Sequence, residues 1–369
     1  MDETRYTLAL SRLRGISQNM AMQLYQQVGN ASDIFLHHKE LQDLSVEGRK
    51  RLNDAMKGAP EVLKRAEDEL EFAEKNHIST LCFNDTDYPT RLRECDDAPL
   101  VLFYRGSTSL NAQRILSVVG TRRITEQGKD ICRNLCRDLH EAHPDILIVS
   151  GLAYGVDIHA HRSALDFGLP TVGVLAHGLD RIYPSGHRAE AARMVKQGGL
   201  ITEYMCGTNP DKGCFVRRNR IVAGMADATI IVESAAKGGA LITAHLAADY
   251  NRTVLAFPGR ATDRYSEGCN ALIRDNKAAL VTSAADVLEL MGWNTVPKQQ
   301  KAVEQQIFPT LSEEEQRIRT ALANTDGLQI NRLAVLTGLP VGRLSALLFE
   351  LELKGRVRPV SGGNFRWLD

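Results

Sequence analysis

Ile115-Leu116-Ser117-Val118-Val119-Gly120-Thr121-Arg122-Arg123 sets an apolar, β-branched run directly before a glycine, a threonine and two arginines. Ile146-Leu147-Ile148-Val149-Ser150-Gly151-Leu152-Ala153-Tyr154-Gly155-Val156-Asp157 repeats the arrangement thirty-one residues later with a second glycine turn. Further apolar runs stand at residues 171–175, 200–203, 229–232, 254–257 and 280–282, with helical periodicity between them. Buried runs alternating with helices predict an α/β fold: a doubly wound, mainly parallel sheet covered on both faces. Short extended pieces near residues 80–83 and 100–104 are expected at its edge.

Outside that rhythm the pattern changes twice. Leu8, Leu10, Leu13 and Ile16, then Met20, Leu24 and Val28, recur at helical spacing, with Gly15 and Gly29 as breaks. This predicts a small helical domain over residues 1–75. Its piece Leu13-Arg14-Gly15-Ile16-Ser17 has the form of a helix-hairpin-helix turn, which presents backbone N–H groups to a DNA phosphate; a bundle that only packs on its neighbour is the alternative. The sheet domain is placed at 76–293. A polar stretch with Pro297 reads as a linker over 294–310. Beyond it, Ser312 and Glu315 form a capping-box pattern, and three helices followed by two short strands around Ser361-Gly362-Gly363 predict a winged-helix domain over 311–369.

Composition narrows the partners. The 369 residues hold 45 basic and 45 acidic side chains, so any polyanion must be held by a local patch. One such patch is Phe215-Val216-Arg217-Arg218-Asn219-Arg220-Ile221-Val222-Ala223-Gly224, where three arginines and an asparagine stand ahead of an apolar helix. The planar guanidinium fork matches phosphate oxygens in pairs, and a helix start adds free N–H groups. A solvated surface run is the alternative. The seven cysteines contain no C-x-x-C pair, which suits a reducing compartment. Cys132 and Cys136 are expected as small buried residues one helical turn apart. His159 and His161 have no further ligands nearby in sequence, so no metal is expected. The amino terminus has no basic segment leading into an apolar one, and no run approaches a membrane span. A cytoplasmic protein without membrane attachment is expected.

In a doubly wound sheet, ligands collect where strands end and helices begin. Gly120-Thr121-Arg122-Arg123, Ser150-Gly151, Lys237-Gly238-Gly239-Ala240 and Pro258-Gly259-Arg260 all fall there. Glycines allow close approach to an anion and hydroxyls add donors, so a phosphate-binding surface is predicted. The dinucleotide fingerprint is missing after the first strand, where only Gly120 and Gly128 occur, and there is no P-loop. Asp157, Glu233 and His177 are the acid and base candidates, but there is no nucleophile elbow and no metal-ligand set. No catalytic residue and no cofactor are therefore expected.

Five motifs make the reading more specific: Val118-Val119-Gly120-Thr121-Arg122; Ser150-Gly151-Leu152-Ala153 with Gly155-Val156-Asp157 and Ala160-His161; Gly178-Leu179-Asp180 with Tyr183-Pro184; Arg218-Asn219-Arg220-Ile221-Val222-Ala223-Gly224; and Leu241-Ile242-Thr243-Ala244. Their order resembles the DNA-processing protein A (DprA, also called Smf) family over residues 80–292. The resemblance implies an extended Rossmann-like domain flanked by a helix-hairpin-helix or SAM-like helical domain and a winged helix. It implies a protein without enzymatic activity that binds single-stranded DNA, protects incoming strands and loads RecA recombinase onto them in natural transformation and DNA recombination. It also implies a homodimer joined through the Rossmann-like domain, for which the stretch 269–273 and the helix after it are a candidate surface; the alternative is that these residues only cover the sheet. Carried onto this chain, Gly120, Thr121 and Arg122 would bind backbone phosphate, with Ser150 and Gly151 beside them. Phe215, Arg217, Arg218, Asn219 and Arg220 would supply the basic wall, and Lys237, Gly238 and Gly239 would close the pocket. Tyr154, Tyr204 and Phe215 are candidates to stack bases.

Two departures are visible. Val216 stands where the family usually has proline, and Gly238-Gly239-Ala240 replaces a Ser-Gly-Ser. Two rival readings are a nucleotide-processing hydrolase of the lysine-decarboxylase-like group, with Glu233 as its carboxylate, and a nucleotide-sensing regulator acting through the winged helix. Residues 311–369 carry eight basic and seven acidic side chains. That balance suits an accessory or protein-contact role better than reading of duplex DNA.

Overall fold

The computed structural model describes residues 2–41, 45–293, 311–323, 325, 327–360 and 363–368. The expected linker at 294–310 and the Ser361-Gly362 turn lie outside the described residues. Contacts divide the chain into two compact units, Met1–Asn294 and Thr295–Asp369.

The first unit begins with α1 (Asp2–Leu10), α2 (Gln18–Val28), α3 (Ala31–His37), α4 (Val46–Met56) and α5 (Ala59–Lys75). Ser17 caps α2 by accepting from Met20 N, and Gly29, at φ +89°, closes its other end in the left-handed conformation that favours glycine. The chain then alternates through β1 (Ser79–Cys82), α6 (Thr90–Arg93), β2 (Val101–Gly106), β3 (Ile115–Val119), α7 (Glu126–Ala142), β4 (Leu147–Ser150), α8 (Val156–Phe167), β5 (Thr171–Val174), α9 (Arg188–Gln197) and β6 (Gly199–Thr202). It continues through α10 (Lys212–Gly224), β7 (Ala228–Ile231), α11 (Gly239–Asp249), β8 (Thr253–Ala256), α12 (Glu267–Arg274), β9 (Ala279–Leu280) and α13 (Ala284–Leu290).

These strands form one sheet in the order β1-β2-β6-β5-β4-β3-β7-β8-β9. It is parallel from β6 to β9, with β1 and β2 added antiparallel at one edge. Cys132, Leu135, Cys136 and Leu139 of α7 pack with Leu116, Val118 and Ile148 on one face. The expected apolar role of Cys132 and Cys136 follows from that burial, which pushes the Cys136 thiol up to about 12. On the other face Ile221 and Ala223 of α10 and Ala240 and Ala244 of α11 cover Ile115, Val119, Ile231 and Ala256, and the same core runs on into Leu8, Leu24, Ile34 and Leu52 of the amino-terminal helices. Cys269 and Leu272 are buried in that core too, and Ile273 packs against it part-buried. After β3 the chain turns to one face and after β7 to the other, so the crevice between these neighbours opens at the carboxyl edge.

The second unit comprises α14 (Glu313–Leu322), β10 (Leu328–Gln329), α15 (Ile330–Thr337), α16 (Val341–Leu353), β11 (Val357–Val360) and β12 (Asn364–Trp367), with strands in the order β10-β12-β11. The capping box forms: Ser312 N donates to Glu315 Oε2 at 2.7 Å and Glu315 N to Ser312 Oγ at 3.2 Å. Ile318, Leu322, Leu333, Leu344, Leu348 and Leu351 make its core, as a winged helix requires. No single described helix is long and apolar enough to cross a membrane, and no cluster of three metal-ligating side chains occurs among the described residues.

Candidate functional site

The carboxyl edge of the sheet holds an open groove of about 660 Å³. Gly120, Thr121 and Arg122 after β3, Gly151 after β4, the first turns of α10, and residues 237–240, Ile242 and Thr243 at the start of α11 line it. Backbone bonds knit the loops together: Thr121 N donates to Glu233 O at 2.7 Å, and Val156 N to Thr121 O at 3.1 Å. Two glycines make the close approach possible. A Cβ on Gly155, held at φ +80°, would lie 2.1 Å from Thr121 O, and one on Gly151 would lie 2.0 Å from Arg218 Nη1.

The basic segment stands differently from its sequence reading. Helix α10 starts at Lys212, so the arginines lie inside a helix and not ahead of one. Successive side chains are about 100° apart around the axis, which sends neighbours to different surroundings. The helix start is occupied by Asp211, whose carboxylate accepts from Cys214 N at 2.7 Å, so the expected anion contact with free N–H groups is replaced by a side-chain cap. Val216, exposed on the groove, is part of the helix; a proline there would remove a donor and press on the preceding turn.

Three of the arginines separate accordingly. Arg218 is buried on the groove floor against Gly151, and its Nη1 donates to Val174 O at 2.6 Å. Burial lowers its pKa, opposed by the charge of Asp157. Arg220 lies outside the groove: it pairs with Glu203 Oε2 at 2.6 Å and donates to Asp97 O and to Gln18 Oε1, tying α10 to the amino-terminal layer. Arg217 is exposed but does not line the groove. Asn219 lines it, as do Phe215, Lys237, Gly238 and Gly239.

Other expected contacts resolve into structural roles. Ser150 is buried and its Oγ donates to Val118 O at 2.6 Å, tying β4 to β3 instead of facing a ligand. Tyr204 is buried with its hydroxyl on Cys214 O at 3.2 Å, which removes it from any stacking surface. Phe215 carries the Arg122 guanidinium over its ring at 5.1 Å, so it orients Arg122 and that face is not open to a base. Glu233 accepts from Thr125 N at 3.0 Å and from Thr125 Oγ1, fixing the start of α7. Asp157 is buried beside the groove; burial raises its pKa, while Arg218, Arg122 and the backbone N–H groups of Ala153 and Gly151 act against that rise.

The sequence reading did not assign Lys212, Val216, Ile242 or Thr243, all of which line the groove. Lys212 had a signal, since it belongs to the basic stretch that begins at Asp211. Arg122, Lys212, Arg217 and Lys237 form no ion pair among the described residues. Unpaired cations and the Thr121 hydroxyl on one open groove suit a row of phosphates.

Residues 79–292 match the family of DNA recombination-mediator protein A, and residues 303–363 match the DprA winged helix domain. The putative DNA processing protein DprA of Mycobacterium tuberculosis is 36% identical over 316 residues, spanning 81% of this chain and 79% of that protein. Among solved structures, DNA processing protein A from Streptococcus pneumoniae superposes with a TM-score of 0.60 at 31% identity, over 77% of this chain and 95% of the other. DNA processing protein A from Helicobacter pylori, solved for its single-stranded DNA binding mode, gives a TM-score of 0.52 at 30% identity, over 58% and 95%.

Proposed function

Because this chain belongs to the DNA recombination-mediator protein A family, we propose that it binds single-stranded DNA along the groove at the carboxyl edge of its sheet, without cutting it. In this reading it protects the strand and passes it to RecA recombinase in natural transformation and recombination. The observation that carries the proposal is the set Arg122, Lys212 and Lys237: three groove cations without a carboxylate partner among the described residues, in a chain of zero net charge. Flexible single strands present phosphates that an open groove can follow, and their contacts release counterions. The hydrolase alternative needs Glu233 as its working carboxylate, and both Glu233 oxygens are engaged by Thr125.

The test is a titration of labelled single- and double-stranded oligonucleotides across a salt series. Single strands are expected to bind more tightly, with Arg122→Ala weakening all sequences alike and lowering the slope of log affinity against log salt by about 0.7. Arg217→Ala is expected to act in the same direction more weakly. An unchanged slope in Arg122→Ala rejects the groove. The homodimer through the Rossmann-like domain is proposed on family resemblance, and sedimentation that finds only monomer removes it.

A further inference from the structure

Among the described residues of the first unit, exposed aromatic rings are confined to one place. Tyr154 is 54% exposed and Tyr183 is 47% exposed, and both stand in loops at the carboxyl edge of the sheet, next to the groove. Val216 and Ile242, also exposed, line the groove itself. Large rings left in water beside unpaired cations mark a binding surface.

Tyr183 is joined to the groove by contact. Its ring centroid lies 5.9 Å from that of Phe215 at 52°, and Phe215 in turn carries Arg122 at 5.1 Å. The three side chains make a step from the groove to the loop after β5. Phe215 has one face under the guanidinium and Tyr183 against it, whereas Tyr183 keeps much of its own ring in solvent. Its backbone is held from below. Tyr183 N donates to His177 Nε2 at 3.2 Å, which leaves the ring proton on Nδ1, where it donates to Gly178 O at 2.8 Å. In the same loop Arg181 pairs with Asp180 and donates to Asn209 Oδ1 at 2.7 Å. The ring is therefore presented by a fixed loop, so ordering it on binding costs little.

We propose that Tyr183 is a base-stacking residue: a nucleobase of the strand held in the groove lies on its exposed face, while Phe215 serves to orient Arg122. The inference rests on the groove binding single-stranded DNA and adds a contact to the bases where the groove supplies contacts to phosphate. A base paired in a duplex has no free face to offer, so this contact also favours single strands.

The experiment measures affinities of the full chain by fluorescence anisotropy with two oligonucleotides of equal length, one of thymidines and one with abasic sites throughout its centre. Tyr183→Ala is expected to lose about tenfold on the thymidine strand and less than about twofold on the abasic one, as removal of a single stacking platform implies. Tyr183→Phe is expected to match the wild type. Tyr183→Leu, which keeps apolar bulk against Phe215, is expected to behave as the alanine variant, and this separates stacking from folding. Equal losses on both strands, or no loss on either, overturns the stacking role while leaving the groove in place. A wild-type protein that binds neither strand overturns both.

Discussion

Arg122, Lys212 and Lys237 around the groove have no carboxylate partner among the described residues, whereas Arg218 on its floor and Arg220 beneath it give N–H groups to Val174 O, Asp97 O and Glu203. Both regions are rich in one residue chemistry, and three of these cations, Lys212, Arg218 and Arg220, sit on the same helix, yet they do different work. Beneath the groove, guanidinium groups are consumed by the protein's own carbonyls and one buried carboxylate. At the groove the charge stays available, and a ligand anion can complete it. A cation's contribution to binding thus depends on what already accepts its protons, not on its place in a basic run.

The largest effect expected from this contrast is on acid stability, and it belongs to the lower layer. His161 is fully buried, and its Nδ1 lies 2.7 Å from Thr171 Oγ1. That hydroxyl already donates to Ile148 O at 3.0 Å, so Nδ1 carries the proton and Nε2 is left without a partner. Burial first, and then the nearby charge of Arg218, lowers its pKa to about 3. The folded state therefore binds fewer protons than the unfolded state, where the ordinary value near 6.5 applies. The contribution is complete above about 6.5 and falls as pH drops toward 3, for a total of roughly 5 kcal/mol at about 1.4 kcal/mol per unit. Thermal unfolding followed from neutral to acid pH is expected to show this decline, flattened in His161→Gln. An equally steep decline in the variant assigns it to other groups.

The next contrast is between two arginines three residues apart on α10. Arg220→Ala leaves Glu203 buried without its partner and is expected to destabilise the fold by about 3–5 kcal/mol. It should leave the salt slope of strand binding where it was. Arg217→Ala, at an exposed position, is expected to change stability by no more than about 0.5 kcal/mol and to lower affinity. Urea unfolding and salt titration on the two variants separate these outcomes. A reduced slope in Arg220→Ala with stability intact would move Arg220 into the groove and erase the difference between the layers.

The pairing of runs such as 115–119 and 171–175 with interleaved helices was legible because these two strands are buried on both faces and read as largely apolar sequence. The glycine loops were legible for a related reason: the close approach of the Arg218 guanidinium at Gly151 and of the Thr121 carbonyl at Gly155 leaves no room for a Cβ, and that exclusion is written directly as glycine. The fate of the arginines was not. Residues 217–220 look alike in one dimension, and only the start of α10 at Lys212 decides which of them faces Gly151, Glu203 or solvent. That start is set by Asp211 and by the freedom of Val216 to join a helix, two local choices that a family pattern with proline at this position does not foretell. Ser150 and Tyr204 escaped for the same reason, since their hydroxyls turn to the Val118 and Cys214 carbonyls and sequence does not show which way a side chain turns.

The smallest expected effect compares the groove with the carboxyl-terminal unit, where a winged helix would ordinarily present cations to DNA from α16. Arg343 on that helix is held by Glu314, through Nε at 3.0 Å and Nη2 at 2.7 Å, and Glu350 and Glu352 stand exposed further along it. Phe349 and Leu353, 61% and 74% exposed, take the positions where further basic residues would be expected. Arg343→Ala is therefore expected to change affinity for single or double strands by less than about twofold, with an unaltered salt slope. Because the pair is exposed and screened by solvent, stability should be unaffected. A tenfold loss in the same salt titration would mean that Arg343 leaves Glu314 for a phosphate. The rule drawn from α10 would then fail in this unit, because an ion pair at the surface would not keep a cation from DNA.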